Sequence, residues 1–444
     1  MKPALLPYIA AIAAALVYWV ARRVLRRPFR LHPSGLLALI PAGIAYLAFF
    51  AFRQPPFAGM PIPPGYFIMA LLGLFCLSSV LCEVEPKLTP SIPRRPEPDQ
   101  TQPKETHRLH EIRLKTGIQR TPEFERKGLA THAVNIGTKC GHDCSYCSTG
   151  AILRMHASFK LAGENPFAFG YALVDPTTPE RVARDARTLH QPGLIQLCTT
   201  VDAWAPEAQQ FNLGRRCLEA ILAEPGWTVR ILTKNAAVAR DFDLIERYKE
   251  RVLVGLSLTA PPDKTAAIRS VEPHASTIAE RMEVMVKAHR MGLRTYGMYC
   301  PLLPGIADST QAIQELIGFG VNCGVEEVFV EPVNARGPGL KSTERALRDA
   351  GFSDEADTIA GIRRQPEWSA YVVRLLSNVQ EALRRFNALE KLRFLLYPSR
   401  LTAKEMEWIR NHGEGVRWLG KEKDHDAVAN GSSIGEIDLR EIRP

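Results

Sequence analysis

Three cysteines in the run NIGTKCGHDCSYCSTG, Cys140, Cys144 and Cys147, are the residues of this chain best spaced for chemistry. Iron–sulfur cubes are held by cysteine thiolates, ordinarily four of them. A C-x3-C-x2-C loop supplies three, enough for three irons of one 4Fe–4S cube, and leaves the fourth iron open to a small molecule. Two other readings use the same residues. Cys140, Cys144 and Cys147 with His142 make a Cys3His zinc set, although no second C-x2-C pair accompanies it. A disulfide framework fits poorly, because nine cysteines are an odd number and few for 444 residues.

The chain that must position this loop is uneven along its length. Pro3–Val20, Leu36–Phe52 and Gly65–Cys82 are apolar runs without Asp, Glu, Lys or Arg, each close to the ~20 residues that cross a hydrocarbon core. They predict three transmembrane helices within residues 1–82. Arg22, Arg23, Arg26, Arg27 and Arg30 crowd the first link and place it on the cytoplasmic side. Parity then puts everything after Cys82 in the cytoplasm: a multi-pass protein of the inner membrane whose first partner is the bilayer. A reducing compartment also suits free thiolates. The net charge of +9 is partly this topology signal, and a groove of dense Arg and Lys interleaved with aromatics, as nucleic acid would require, is missing.

Residues 83–104 (EVEPKLTPSIPRRPEPDQTQPK) are rich in proline and charge and read as an extended tether. From Thr131 onward, short apolar runs alternate with amphipathic stretches, the pattern of a parallel sheet. The runs Ala133–Gly137, Leu194–Cys198, Thr228–Thr233, Val252–Leu258, Arg294–Cys300 and Glu327–Val330 predict strands. Leu213–Ala223, Asp243–Glu250, Thr277–Arg290 and Thr310–Phe319 predict helices between them. Six such units make an α/β domain, a partial (βα)6 barrel over residues 105–340, with its site at the C-terminal strand ends. Residues 341–444 read as a mainly helical extension, with a helix at Trp368–Phe386 and a strand at Leu392–Tyr397.

With Tyr146 just before the last cysteine, the loop resembles the signature of the radical S-adenosylmethionine (SAM) enzymes. Further segments resemble the spore photoproduct lyase and photolyase-like branch: QLCTTVDAWAPE, RILTKNAAVARDFDLI, VGLSLT with SVEPHAS, and YCPLLPGIAD. The resemblance spans about Thr131 to Asn334. It implies one 4Fe–4S cluster, SAM bound at the open iron, a 5′-deoxyadenosyl radical that abstracts hydrogen, and a separate electron donor. It gives Lys234 the SAM carboxylate, Ser257 the ribose, and Tyr146, Pro304 and Gly305 the adenine. Asp202 and Glu207 face substrate, or Glu207 merely starts the following helix; Cys198 returns a hydrogen atom to the product radical, or is a small core residue of its strand. Ser148 departs from the tyrosine that the lyase carries there, which sets the thymine-dimer reaction in doubt. A membrane anchor favours a small molecule, lipid or envelope component over nucleic acid as substrate. An iron–sulfur electron carrier, a nucleic-acid repair lyase and a zinc-binding adaptor are the competing classes.

Overall fold

The computed structural model describes residues 107–335 and 337–420. The three expected membrane spans and the tether lie outside the described residues. Among the described residues no helix is long and apolar enough to cross a membrane.

The chain enters through β1 (Arg108–Glu111), β2 (Gln119–Arg120), β3 (His132–Val134), β4 (Gly137–Lys139) and β5 (Tyr171–Val174). It continues through β6 (Leu194–Leu197), β7 (Thr228–Thr233), β8 (Val252–Leu256), β9 (Arg294–Thr295) and β10 (Gly297–Leu302), and ends with β11 (Val328–Pro332), β12 (Leu392–Leu396) and β13 (Val416–Trp418). The main sheet runs β2-β3-β6-β7-β8-β9, then β10-β11-β12-β13. A parallel bridge from Ser257 to Met298 joins the two parts. All pairings in it are parallel except that of β2 with β3. A second, three-stranded sheet has the order β1-β5-β4.

Period-2 alternation sorts these strands onto two faces. Val229, Ile231, Val252, Val254, Val328 and Val330 face the large core. Amphipathic helices cover that core, among them Leu213–Leu222, Ile278–Arg290, Thr310–Asn322 and Gln365–Arg385. Helix Ile278–Arg290 starts at a capping box between Thr277 and Glu280, which satisfies backbone donors that a helix start leaves open. On the other face, Leu253, Tyr296, Met298, Phe329 and Leu395 form a smaller cluster together with Leu129 and Leu419. Leu129 precedes β3 and Leu419 follows β13, so this apolar contact curls the two flanks of the sheet toward each other. The sheet nevertheless stays open, for β13 pairs only with β12 among the described residues.

Two expectations meet a different outcome. The strand expected over Ala133–Gly137 is split: β3 ends at Val134, and after Asn135–Ile136 the chain leaves for the small sheet as β4, antiparallel to β5. The cysteine loop therefore springs from β4. The Asn135 carboxamide oxygen accepts from the backbone N–H groups of Thr199 (2.8 Å) and Thr200 (3.1 Å), which pins this detour to the end of β6. Beyond Lys341, β12 and β13 extend the same parallel sheet, so the helices there pack on it as further crossovers.

Candidate functional site

Cys140, Cys144 and Cys147 are free thiols, half-buried, buried and exposed in turn. All three line one pocket with Thr138, Lys139, Phe167 and Phe169. Among the described residues no fourth cysteine and no histidine lines it. Burial pushes the Cys144 thiol up to about 12, with Glu272 adding to the effect. Burial, then Glu207, also raises the Cys140 thiol. A neutral thiol is a poor ligand, so a positive centre is what makes these sulfurs thiolates. The three-sulfur donor set fits a cluster with one iron open.

The loop is held from below. Gly141 N–H donates to the Glu207 carboxylate at 2.8 Å. Glu207 sits buried at the start of helix Pro206–Gln210, and burial lifts its carboxyl to about 7 against the opposing hydrogen bond from Gly141. Ser145 Oγ meets Thr343 Oγ1 at 3.0 Å. Thr343 lies on helix Gly339–Asp349, whose first turn contributes Gly339 and Ser342 to the cysteine pocket. A helix N-terminus carries partial positive charge, and Lys139 adds a full one beside the same pocket.

Tyr146 turns inward. Its hydroxyl donates to Glu272, which also accepts from Thr259 (2.9 Å) and pairs with Arg281. Glu272 and Arg281 are each 1% exposed. Burial alone would raise the Glu272 carboxyl, but Arg281 and Lys234 outweigh it and hold the group near 2. Lys234 extends from the end of β7, with Nζ 3.4 Å from the Cys300 carbonyl oxygen, 4.0 Å from Glu272 and 5.8 Å from the centre of the Tyr146 ring. Asp202, expected to face substrate, accepts from the Trp204 N–H, the Thr233 hydroxyl and the Lys234 N–H. Its other neighbour is His142, Nδ1 at 3.5 Å. His142 is buried with Nε2 unpartnered, and burial lowers its basicity. It lies outside the cysteine pocket.

Ser257 is buried at the end of β8; its carbonyl accepts from Arg281 at 2.9 Å. Pro304 and Gly305 form a turn closed by Ile306 N–H to the Leu303 carbonyl at 3.2 Å. Gly305 has φ +80°, the left-handed third position of a type II turn that proline before it favours. Its N–H donates to Asp308 Oδ1 at 2.8 Å, and a side chain at this position would run against Thr358. Cys198 is 2% exposed with φ +64° and belongs to the large core that also holds Cys217. It does not line the cysteine pocket, and burial pushes its thiol well up.

The structure thus brings the three cysteines, Tyr146, Lys234 and Glu207 around one loop, and leaves Pro304–Gly305 in contacts of its own. Reading the sequence missed Glu272 and Arg281. The only signal for Glu272 was an acid in front of proline within SVEPHAS. It also missed Glu331, whose charge, with that of Glu123, offsets burial and keeps the amine of Lys127 protonated.

Residues 134–317 match the profile of the Radical SAM superfamily. The chain carries a radical SAM domain over those residues, the domain of enzymes that use SAM and an iron–sulfur cluster. An uncharacterised protein of the Acidianus two-tailed virus is 25% identical over 219 residues, 48% of this chain and 71% of the viral one. An uncharacterised protein of Mycobacterium tuberculosis is 25% identical over 234 residues, 52% of this chain and 66% of that one. Among solved structures, spore photoproduct lyase complexed with dinucleoside spore photoproduct matches with a TM-score of 0.40 and 15% identity, over 58% of this chain and 72% of the lyase. A radical SAM methyltransferase from Sphaerobacter thermophilus matches with a TM-score of 0.32 and 19% identity, over 50% of this chain and 64% of that enzyme.

Proposed function

We propose that this is a membrane-anchored radical SAM enzyme in which Cys140, Cys144 and Cys147 hold a single 4Fe–4S cluster with one iron left for SAM. The observation that carries this reading is the shared pocket: three free thiols line it, with no fourth cysteine or histidine among its described lining residues. Held there, a reduced cluster would supply the electron for reductive cleavage of SAM to a 5′-deoxyadenosyl radical and methionine. The chain's own residues set the stage. Glu207, Thr343 and the Tyr146–Glu272–Arg281 network fix the loop backbone. The first turn of helix Gly339–Asp349 and Lys139 complement an anionic cluster. Lys234 offers the cation for the SAM carboxylate, Ser257 a hydroxyl for the ribose, and Tyr146 with Pro304–Gly305 the adenine side. Exposed Cys147 marks the face from which an electron donor reaches the cluster. The curled open sheet serves as a partial (βα)6 barrel lengthened by β12 and β13.

The substrate is small, apolar or amphiphilic rather than nucleic acid. Support comes from the pocket wall: Phe167 and Phe169, 42% and 45% exposed, line the cysteine pocket. Apolar exposure gathered beside a site is the mark of a binding surface. The three apolar runs before Cys82 and the Arg22–Arg30 cluster support an inner-membrane anchor with a cytoplasmic catalytic domain. Anaerobic reconstitution tests the chemistry: a brown protein that converts SAM to 5′-deoxyadenosine is expected, and a brown protein inert to SAM, or a colourless one, would overturn it. A reporter fused after Pro103 that is active only outside the membrane would overturn the topology.

A further inference from the structure

Beside the cysteine loop, three residues from distant parts of the chain meet without any role in the chemistry above. His107 precedes β1, Asp143 lies between Cys140 and Cys144, and His274 follows Glu272 in the loop after helix Thr265–Val271. One ligand atom from each falls within 4.8 Å of the other two. His107 Nε2 is 2.8 Å from Asp143 Oδ2, and the two imidazole rings stand edge to face with centres 4.4 Å apart. Oδ2 also accepts from Gly170 N–H at 2.7 Å. Oδ1, in contrast, is buried with no hydrogen-bond partner, and the nearest cation, Lys139 Nζ, is 3.9 Å away. The Asp143 side chain is only 5% exposed, and its backbone has φ +50°, a conformation that a non-glycine residue adopts at a cost.

An ordinary ion pair would need one imidazole. A second protonated imidazole on the same carboxylate would repel the first, whereas two neutral imidazoles and a carboxylate are a common donor set for divalent transition metals. Ligand bonds of about 2.1 Å place donor atoms roughly 3.4 Å apart in a tetrahedral site, so the observed grouping needs only small side-chain shifts. We propose that His107, Asp143 and His274 bind one divalent transition-metal ion. The ion occupies the orphaned side of Asp143 and ties the cysteine loop to the strand at β1 and to the loop carrying Glu272. It also puts a positive centre next to the cluster loop. This proposal goes beyond the radical SAM reading and does not depend on it.

Zinc is the probe. Full-length protein, reconstituted anaerobically with iron and sulfide, is incubated with Zn2+, freed of loose metal by gel filtration and analysed for metal content. The unaltered chain should keep roughly one zinc beyond its iron. His274→Ala, at an exposed position, should keep at least about tenfold less zinc with its iron unchanged. Should His274→Ala also lose iron, His107→Gln is judged by the same zinc count. No zinc on the unaltered chain, or zinc retained in both variants, overturns the site. An unaltered chain that fails to load iron refutes the cluster reading instead, and the zinc count is then taken on that protein by the same criterion.

Discussion

The Glu272–Arg281 pair gives the sharpest test of how the cysteine loop is supported. Both side chains are 1% exposed, and Arg281 also donates to the carbonyls of Ser257 (2.9 Å) and Ser276 (2.8 Å). Arg281→Met keeps the volume but leaves a buried carboxylate with only Tyr146, Thr259 and a Lys234 Nζ 4.0 Å away. Breaking a buried pair from one side costs about 3–5 kcal/mol. The fall of the Glu272 carboxyl from 4.5 to about 2 corresponds to about 3 kcal/mol, which agrees. Replacing both partners, Glu272→Gln with Arg281→Met, removes the uncompensated charge and should recover about half of that loss or more. Because the folded-state value is depressed, this stability is present above the unfolded value near 4.5 and is lost as pH falls toward 2. Glu272→Gln should therefore flatten the acid limb. The assay is urea unfolding of a fragment beginning at Glu105, followed by fluorescence of Trp204 and Trp227, which are 3% and 1% exposed. If Arg281→Met costs less than about 1 kcal/mol, or if the two single costs simply add, the pair is not coupled as argued.

Cys144→Ala should abolish cluster iron and SAM cleavage, whereas Cys217→Ala and Cys323→Ala, both core positions, should retain both; metal analysis and product chromatography decide. Glu207, raised from 4.5 to about 7, contributes stability that is full below 4.5 and is lost as pH rises to 7. Glu207→Gln should remove that slope, worth up to about 3 kcal/mol, in melts of cluster-free protein at stepped pH; an unchanged slope would assign it elsewhere. Cys198→Ala should still cleave SAM but alter the products formed from substrate. Unaltered products would leave Cys198 as packing in the core it shares with Cys217.

The cysteine triplet was legible in the sequence because its ligands lie within eight consecutive positions, so their spacing alone states the coordination. The parallel sheet was legible for a related reason. Strands such as Val252–Leu256 are buried on both faces and read as apolar runs, while helices such as Ile278–Arg290 carry their cap and their apolar stripe locally. Lys234 could be named because it directly follows a strand. What supports the loop was not legible. Tyr146 and Glu272 are 126 positions apart, Ser145 and Thr343 are 198 apart, and Gly141 and Glu207 are 66 apart. No periodicity relates such residues; only the curl of the sheet brings them together. The detour of β4 and the two strands past Lys341 were hidden for the same reason, because strand pairing depends on which edges remain open after the chain has folded. Local pattern determined the chemistry this chain can attempt, and tertiary packing decided which buried charges hold that chemistry in place.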